Sequence, residues 1–139
     1  MRYAVDTSVA IPLVVRTHPQ HEAVAAWAAG RTLCLSGHAA VETYAVLTRL
    51  PAGVRATPEQ ALQVMDENFA EVLALRPDIA ASTHRVFARQ GIAGGATYDA
   101  LVALAATENG LTLVTRDLRA RDTYDRMGAT VSVLGQGCV

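Results

Sequence analysis

The sequence predicts an α/β fold, a mostly parallel sheet with helices on both faces. Short apolar, β-rich runs alternate with segments of helical period along the whole chain. Acids stand directly after the first and fourth of these runs, at Asp6 and Asp117. A segment from about Tyr98 to Ala106 is apolar nearly all round, which suits an interior helix.

Tyr3 to Val5 is the first strand, ending at Asp6, and Thr7 and Ser8 open a helix through Ile11, Leu13, Val14 and Val15. Pro19 suits a first helical position, and an alanine-rich helix follows to Ala29, stopped by Gly30. Thr32 to Leu35 is the second strand. From Gly37 to Leu50, the spacing of Ala40, Val41, Tyr44, Leu47 and Thr48 predicts a helix that Pro51 and Gly53 terminate. Thr57, Pro58 and Glu59 supply a cap, a first-turn proline and a first-turn acid for a helix with Leu62, Met65 and Phe69 on one face. Glu71 to Leu75 is a short strand and Asp78 to Arg89 a helix, followed by a turn at Gly91, Gly94 and Gly95. Gly110 closes the apolar helix. Leu111 to Thr115 is the fourth strand, a polar helix spans about 118 to 127, and Thr130 to Leu134 is the last strand. Parallel pairing through right-handed crossovers follows from this alternation.

With 139 residues, 51% hydrophobic and 18% charged, the chain is expected to form one domain, 1–139, with a short tail from about 135 to 139. No apolar run reaches the ~18 residues of a membrane span. All 12 basic residues are arginine, and the absence of lysine excludes P-loop nucleotide binding and Schiff-base chemistry. A net charge of −1 gives no global field for nucleic acid, while leaving room for a local patch. Cys34 and Cys138 are too few and too dissimilar for a disulfide framework or a metal knuckle, so a reducing cytoplasm fits best. No leader-like segment precedes the first strand, and the chain reads as complete and unexported.

In an open parallel sheet the ligand site lies at the carboxyl ends of the strands, where Asp6 and Asp117 stand. Glu42, about a turn and a half inside its helix, has Ala39, Ala45 and Val46 at helical spacing. Asp99 has Gly95, Ala96, Val102 and Ala103. A carboxylate on an apolar helix has to be solvated, paired, protonated or bound to metal, and one divalent cation satisfies several at once. All-oxygen ligation selects Mg²⁺ or Mn²⁺ over zinc. Capping and the helix dipole account for Asp6, Asp99 and Asp117 equally well one at a time, but not for Glu42 or for the joint pattern. His18 and His21 have no further His or Cys nearby and read as surface residues. His38, one turn before Glu42, reads as a helix-start contact within reach of the site.

Asp6-Thr7-Ser8, the segment from His38 through Glu42 to Arg49, Gly94-Gly95-Ala96-Thr97-Tyr98-Asp99, and Leu113-Val114-Thr115-Arg116-Asp117 together resemble the PIN domain. More narrowly they resemble the VapC toxins of type II toxin–antitoxin pairs, in the right order over nearly the whole chain. The resemblance implies a three-layer α/β/α fold with a five-stranded parallel sheet. It implies an endoribonuclease that needs Mg²⁺ or Mn²⁺ and is held inactive by a cognate VapB-type antitoxin. The family's acids fall on Asp6, Glu42, Asp99 and Asp117, and Ser8 and Thr115 fall where polar residues orient ligands or water. The implied reaction is hydrolysis by metal-activated water, in line at phosphorus, leaving 5′-phosphate and 3′-hydroxyl ends. Arg116, with Arg119, Arg121 and Arg126 after it, is placed to grip an RNA backbone, although the last three serve equally as a solvated face paired with Asp122 and Asp125. Some PIN domains carry a further acid two residues after the fourth; here it is Arg119, which weighs against a full-strength second metal site. Homodimers and hetero-oligomers with the antitoxin are the expected assemblies. The competing reading is a PIN-like binding module without nuclease turnover, against which the intact tetrad of acids argues.

Overall fold

The structure, a computed structural model, describes residues 1–135. Cys138 and all of the expected tail beyond Gly135 lie outside the described residues. Five strands, β1 (Arg2–Val5), β2 (Thr32–Ser36), β3 (Glu71–Leu73), β4 (Leu113–Thr115) and β5 (Val131–Val133), form one parallel sheet in the order β3-β2-β1-β4-β5. Helices connect them: α1 (Thr7–Val14), α2 (His21–Ala28), α3 (Ala39–Thr48), α4 (Pro58–Asn68), α5 (Pro77–Ala80), α6 (Thr83–Arg89), α7 (Ala96–Glu108) and α8 (Arg121–Arg126).

Strand alternation divides the core in two. Ala4, Cys34, Leu73 and Leu113 face a layer containing Phe87, the buried alanines of α7 and Tyr124. Val5, Leu33, Leu35 and Val114 face a layer built from Val9, Ala10, Val24 and Phe69. The three-layer α/β/α architecture expected from the sequence is therefore present. In register, Val5 lies between Leu35 and Val114, so the sheet turns its order around β1. Such a switch point opens a crevice at the carboxyl ends of the flanking strands, β1 and β4.

Two packing details bring the helices to that crevice. Ala100, Ala103, Ala105 and Ala106 are fully buried on α7, and their small side chains let the helix lie close against the sheet. Gly37, at the β2–α3 junction, has φ +54°, and a Cβ there would stand 3.0 Å from Ala105 Cβ and 3.3 Å from the Leu101 carbonyl oxygen. Only glycine accepts both that backbone and that approach. The chain thus passes tightly against α7 just before α3 begins, and Glu42 of α3 and Asp99 of α7 line the same cleft.

Three local expectations are corrected. Leu62 is 56% exposed, and the inward face of α4 runs through Ala61, Met65 and, just beyond the helix, Phe69; residues four apart share a face, and Leu62 lies one step off it. The segment from Asp78 to Arg89 is two helices rather than one, because Ser82 Oγ bonds the Asp78 and Ile79 carbonyls at 3.2 Å and competes with the backbone ladder. The polar helix expected from about 118 opens as a 3₁₀ turn, Leu118–Ala120, because Asp117 Oδ1 accepts the Arg119 backbone N–H at 3.0 Å. The cap at Thr57 forms as read, a reciprocal box with Gln60. Among the described residues no helix is long and apolar enough to cross a membrane.

Candidate active site

Asp6 leaves β1 at the switch point and is only 4% exposed. It occupies the N-cap position of α1, yet its side chain caps nothing. Its carboxylate instead accepts three hydroxyls: Ser8 Oγ at 2.6 Å on Oδ1, and Thr115 Oγ1 and Tyr124 Oη on Oδ2, the last at 2.8 Å. The donor sense of two of these is fixed from behind. Ser8 Oγ accepts the Arg116 backbone N–H at 2.8 Å, and Thr115 Oγ1 accepts that of Asp117 at 3.0 Å. Each hydroxyl is left with its proton for Asp6. Three hydroxyl donors thereby hold the carboxylate in one orientation, with the Val9 backbone N–H also favouring its ionised form.

Glu42, Asp99 and Asp117 join Asp6 around a cleft of about 60 Å³, which Ser8, Arg119 and Tyr124 also line. Asp99 lies in the first turn of α7 and its side chain is 21% exposed, while that of Glu42 is 45% exposed. The helix carrying Glu42 begins later than the sequence suggested, so Glu42 lies in its first turn. Nor is Glu42 without a partner, since His38 Nε2, one turn back, is 3.9 Å from Oε2.

Burial pushes the Asp6 carboxyl above its ordinary range even though three hydroxyls favour the ionised form. Asp99 is also raised, by burial first; Arg119 opposes the shift, and the charges of Asp117, Glu42 and Asp6 reinforce it. Asp99 thus feels the charges of all three other acids. The cation present is Arg119, whose guanidinium reaches Asp117 Oδ2 at 3.0 Å and Asp99 Oδ2 at 3.7 Å. As the side chains stand, no three His, Cys, Asp or Glu among the described residues are close enough to hold an ion together. The donor chemistry nevertheless fits a hard divalent cation: four carboxylates, two of them with raised pKa, already drawing a guanidinium between two members.

One participant, Tyr124, was not foreseen from the sequence, and Arg119 was foreseen as a basic residue near the site but not as a partner of Asp99 and Asp117. Tyr124 was buried in an otherwise polar segment, Arg121-Asp122-Thr123-Tyr124-Asp125-Arg126, and its lone aromatic character was the available signal. Arg119 lies two residues after Asp117 in the chain and pairs with the acids, whereas Arg121 and Arg126 pair with Asp125 and Asp122 along α8. Arg116 contributes mainly its backbone N–H, with Nη1 3.4 Å from the Ser8 carbonyl oxygen. His18 and His21 take part in hydrogen bonds to backbone at Gln20 and Pro12, away from the acids.

The PIN domain family model matches residues 3–126. Ribonuclease VapC27 of Mycobacterium tuberculosis (strain ATCC 25618 / H37Rv) is 55% identical over 130 residues, covering 94% of this chain and 95% of the relative. Ribonuclease VapC40 of the same species (strain CDC 1551 / Oshkosh) is 42% identical over 132 residues, covering 94% and 98%. Among solved structures, VapBC2 from Rickettsia felis bound to a DNA fragment from their promoter aligns at TM-score 0.66 and 13% identity, covering 96% of this chain and 98% of its own. VapBC-1 from nontypeable Haemophilus influenzae aligns at TM-score 0.58 and 21% identity, covering 96% and 98%. These two structures share the fold. Taken with the identity to both relatives, the matched model places the chain in the PIN-domain family, within its VapC group.

Proposed function

We propose that this chain is a metal-dependent endoribonuclease and the toxin of a type II toxin–antitoxin pair, hydrolysing RNA at the cleft formed by Asp6, Glu42, Asp99 and Asp117. The observation that carries the reading is the convergence of these four carboxylates at the switch point of the sheet, in a chain 55% identical to a ribonuclease. Mg²⁺ or Mn²⁺, when bound, supplies an acidified water and neutralises charge at the scissile phosphate. The chain's own groups do the rest. Asp6, fixed by three hydroxyls, would be the most rigid oxygen donor to such an ion, and Glu42, Asp99 and Asp117 would complete the oxygen set. Ser8 and Thr115 pass the orientation of the Arg116 and Asp117 backbone N–H groups on to Asp6. Arg119, which pairs with Asp99 and Asp117 here, would be available to an RNA phosphate once the acids hold a divalent ion, and Arg116 lies three residues before it in the chain.

The antitoxin is the second part of the proposal. VapBC complexes are among the solved neighbours, and this chain has a groove of about 600 Å³ containing Leu13, Val14, Ala25, Leu33 and Val64. Arg16, Arg31 and Glu67 also line it. An amphipathic segment of a VapB-type partner suits such a surface. Homodimers, and hetero-oligomers with that partner, belong to the same proposal.

The test is incubation of the antitoxin-free protein with a panel of structured RNAs in Mg²⁺, Mn²⁺ or EDTA. Discrete cleavage in either metal and none in EDTA, with 5′-phosphate and 3′-hydroxyl ends, is expected. Cleavage undiminished by EDTA, or no cleavage of any RNA in either metal, rejects the reading.

A further inference from the structure

We infer that Tyr98, backed by His38, is a stacking platform for an unpaired nucleobase next to the scissile phosphate. The inference rests on the nuclease reading above and assigns a binding subsite to it. The two rings are stacked, with centroids 4.8 Å apart and planes inclined by 24°. Tyr98 is nevertheless 53% exposed, whereas Phe69, Phe87 and Tyr124 are buried and Tyr3 and Trp27 pack against one another. It is the one exposed Phe, Tyr or Trp among the described residues.

Its position ties it to the cleft from two sides. Tyr98 directly precedes Asp99 on α7, and His38 stands one turn before Glu42 with Nε2 3.9 Å from that carboxylate. The aromatic pair therefore bridges the starts of the two helices that bring Glu42 and Asp99 together. Two more exposed apolar side chains, Val41 at 66% and Leu118 at 54%, immediately adjoin Glu42 and Asp117 in the chain. An exposed aromatic pair in contact with one acid of a charged cleft suits a substrate that is anionic at the phosphate and flat and apolar at the base. Single-stranded RNA offers that combination, since its unstacked bases splay onto aromatic faces while the backbone follows charged groups. With one ring face covered by His38, the pair presents a pre-ordered surface that loses little side-chain freedom when a base settles on it. Stacking accepts any base, so the platform sets how firmly the strand is held and where it is cut rather than which letter is read.

The test uses a short single-stranded RNA that the wild-type chain cuts at a mapped bond, with copies carrying one abasic nucleotide at each position within two of the cut. Wild type, Tyr98→Ala and Tyr98→Phe are compared in KM, kcat and molecular mass. Tyr98→Ala is expected to raise KM about tenfold with kcat little changed, and Tyr98→Phe, which keeps the ring, to recover most of that loss. At one position the abasic substitution and Tyr98→Ala are expected to cost no more together than either alone, because both remove the same contact. Cleavage indifferent to Tyr98 overturns the platform and leaves the nuclease reading standing. Losses that add at every position, or a change in mass with Tyr98→Ala, overturn it in favour of a protein contact. If the wild type cuts no RNA, the nuclease reading fails and the platform falls with it.

Discussion

Asp6→Asn is expected to abolish cleavage, by at least about a hundredfold, while leaving the metal-free protein as stable as wild type or more so at neutral pH. The first half follows from the role of Asp6 as the most rigid donor in the cleft, held by Ser8, Thr115 and Tyr124. The second follows from its burial. Burial raises the Asp6 carboxyl, so the folded chain holds a proton there to higher pH than the unfolded chain does. The contribution of Asp6 to stability is therefore complete below the unfolded carboxyl value of about 3.9 and is lost as pH rises through the higher folded value. Asparagine does not titrate, and its amide can serve the same neighbours with its oxygen toward Thr115 and Tyr124 and its nitrogen toward Ser8. Melting curves in EDTA from pH 4 to 8 should show the variant gaining on wild type as pH rises. A variant that melts well below wild type at pH 7 would mean that the ionised Asp6 supports the fold.

Tyr124→Phe is expected to reduce kcat about ten- to a hundredfold, the usual scale for groups that orient a ligand, with KM nearly unchanged. Its hydroxyl donates to Asp6 Oδ2 at 2.8 Å from a buried ring at the base of the cleft, so its contact with the site is made through Asp6. The hydroxyl is itself pushed well above the ordinary phenol range, chiefly by burial and then by the Asp6 charge, and remains a donor throughout the working pH range. Removing it takes away one of the bonds that hold the Asp6 carboxyl down, so that group rises further. The acidic limb of the kcat–pH profile should accordingly move to higher pH. A drop in kcat with no movement of that limb would point to lost packing around the ring instead.

Much of this architecture was legible in the residues because it follows from short-range chemistry. The alternation of β-rich runs and helical segments located every strand, and Thr57 with Pro58 marked a helix start that forms as read. The acids stood out because Asp6 and Asp117 end strands and Asp99 sits on an apolar helix. What the residues did not disclose depends on contacts distant in sequence. Tyr124 meets Asp6 across 118 positions, and no local pattern announces that bond. Arg119 could be seen as a departure from the family's acid but not as the cation spanning Asp99 and Asp117. The split between α5 and α6 turned on one serine hydroxyl, and the exposure of Leu62 on a single step of helical phase.

The central claim is that the four acids make one cation site, and the most direct measurement is calorimetric titration of the antitoxin-free protein with Mn²⁺. Wild type is compared with the Asp6→Asn, Asp99→Asn double variant in a buffer free of other divalent ions. Saturable binding to wild type that is lost in the folded double variant is the predicted result. Equal binding to both proteins, or none to wild type, would contradict it.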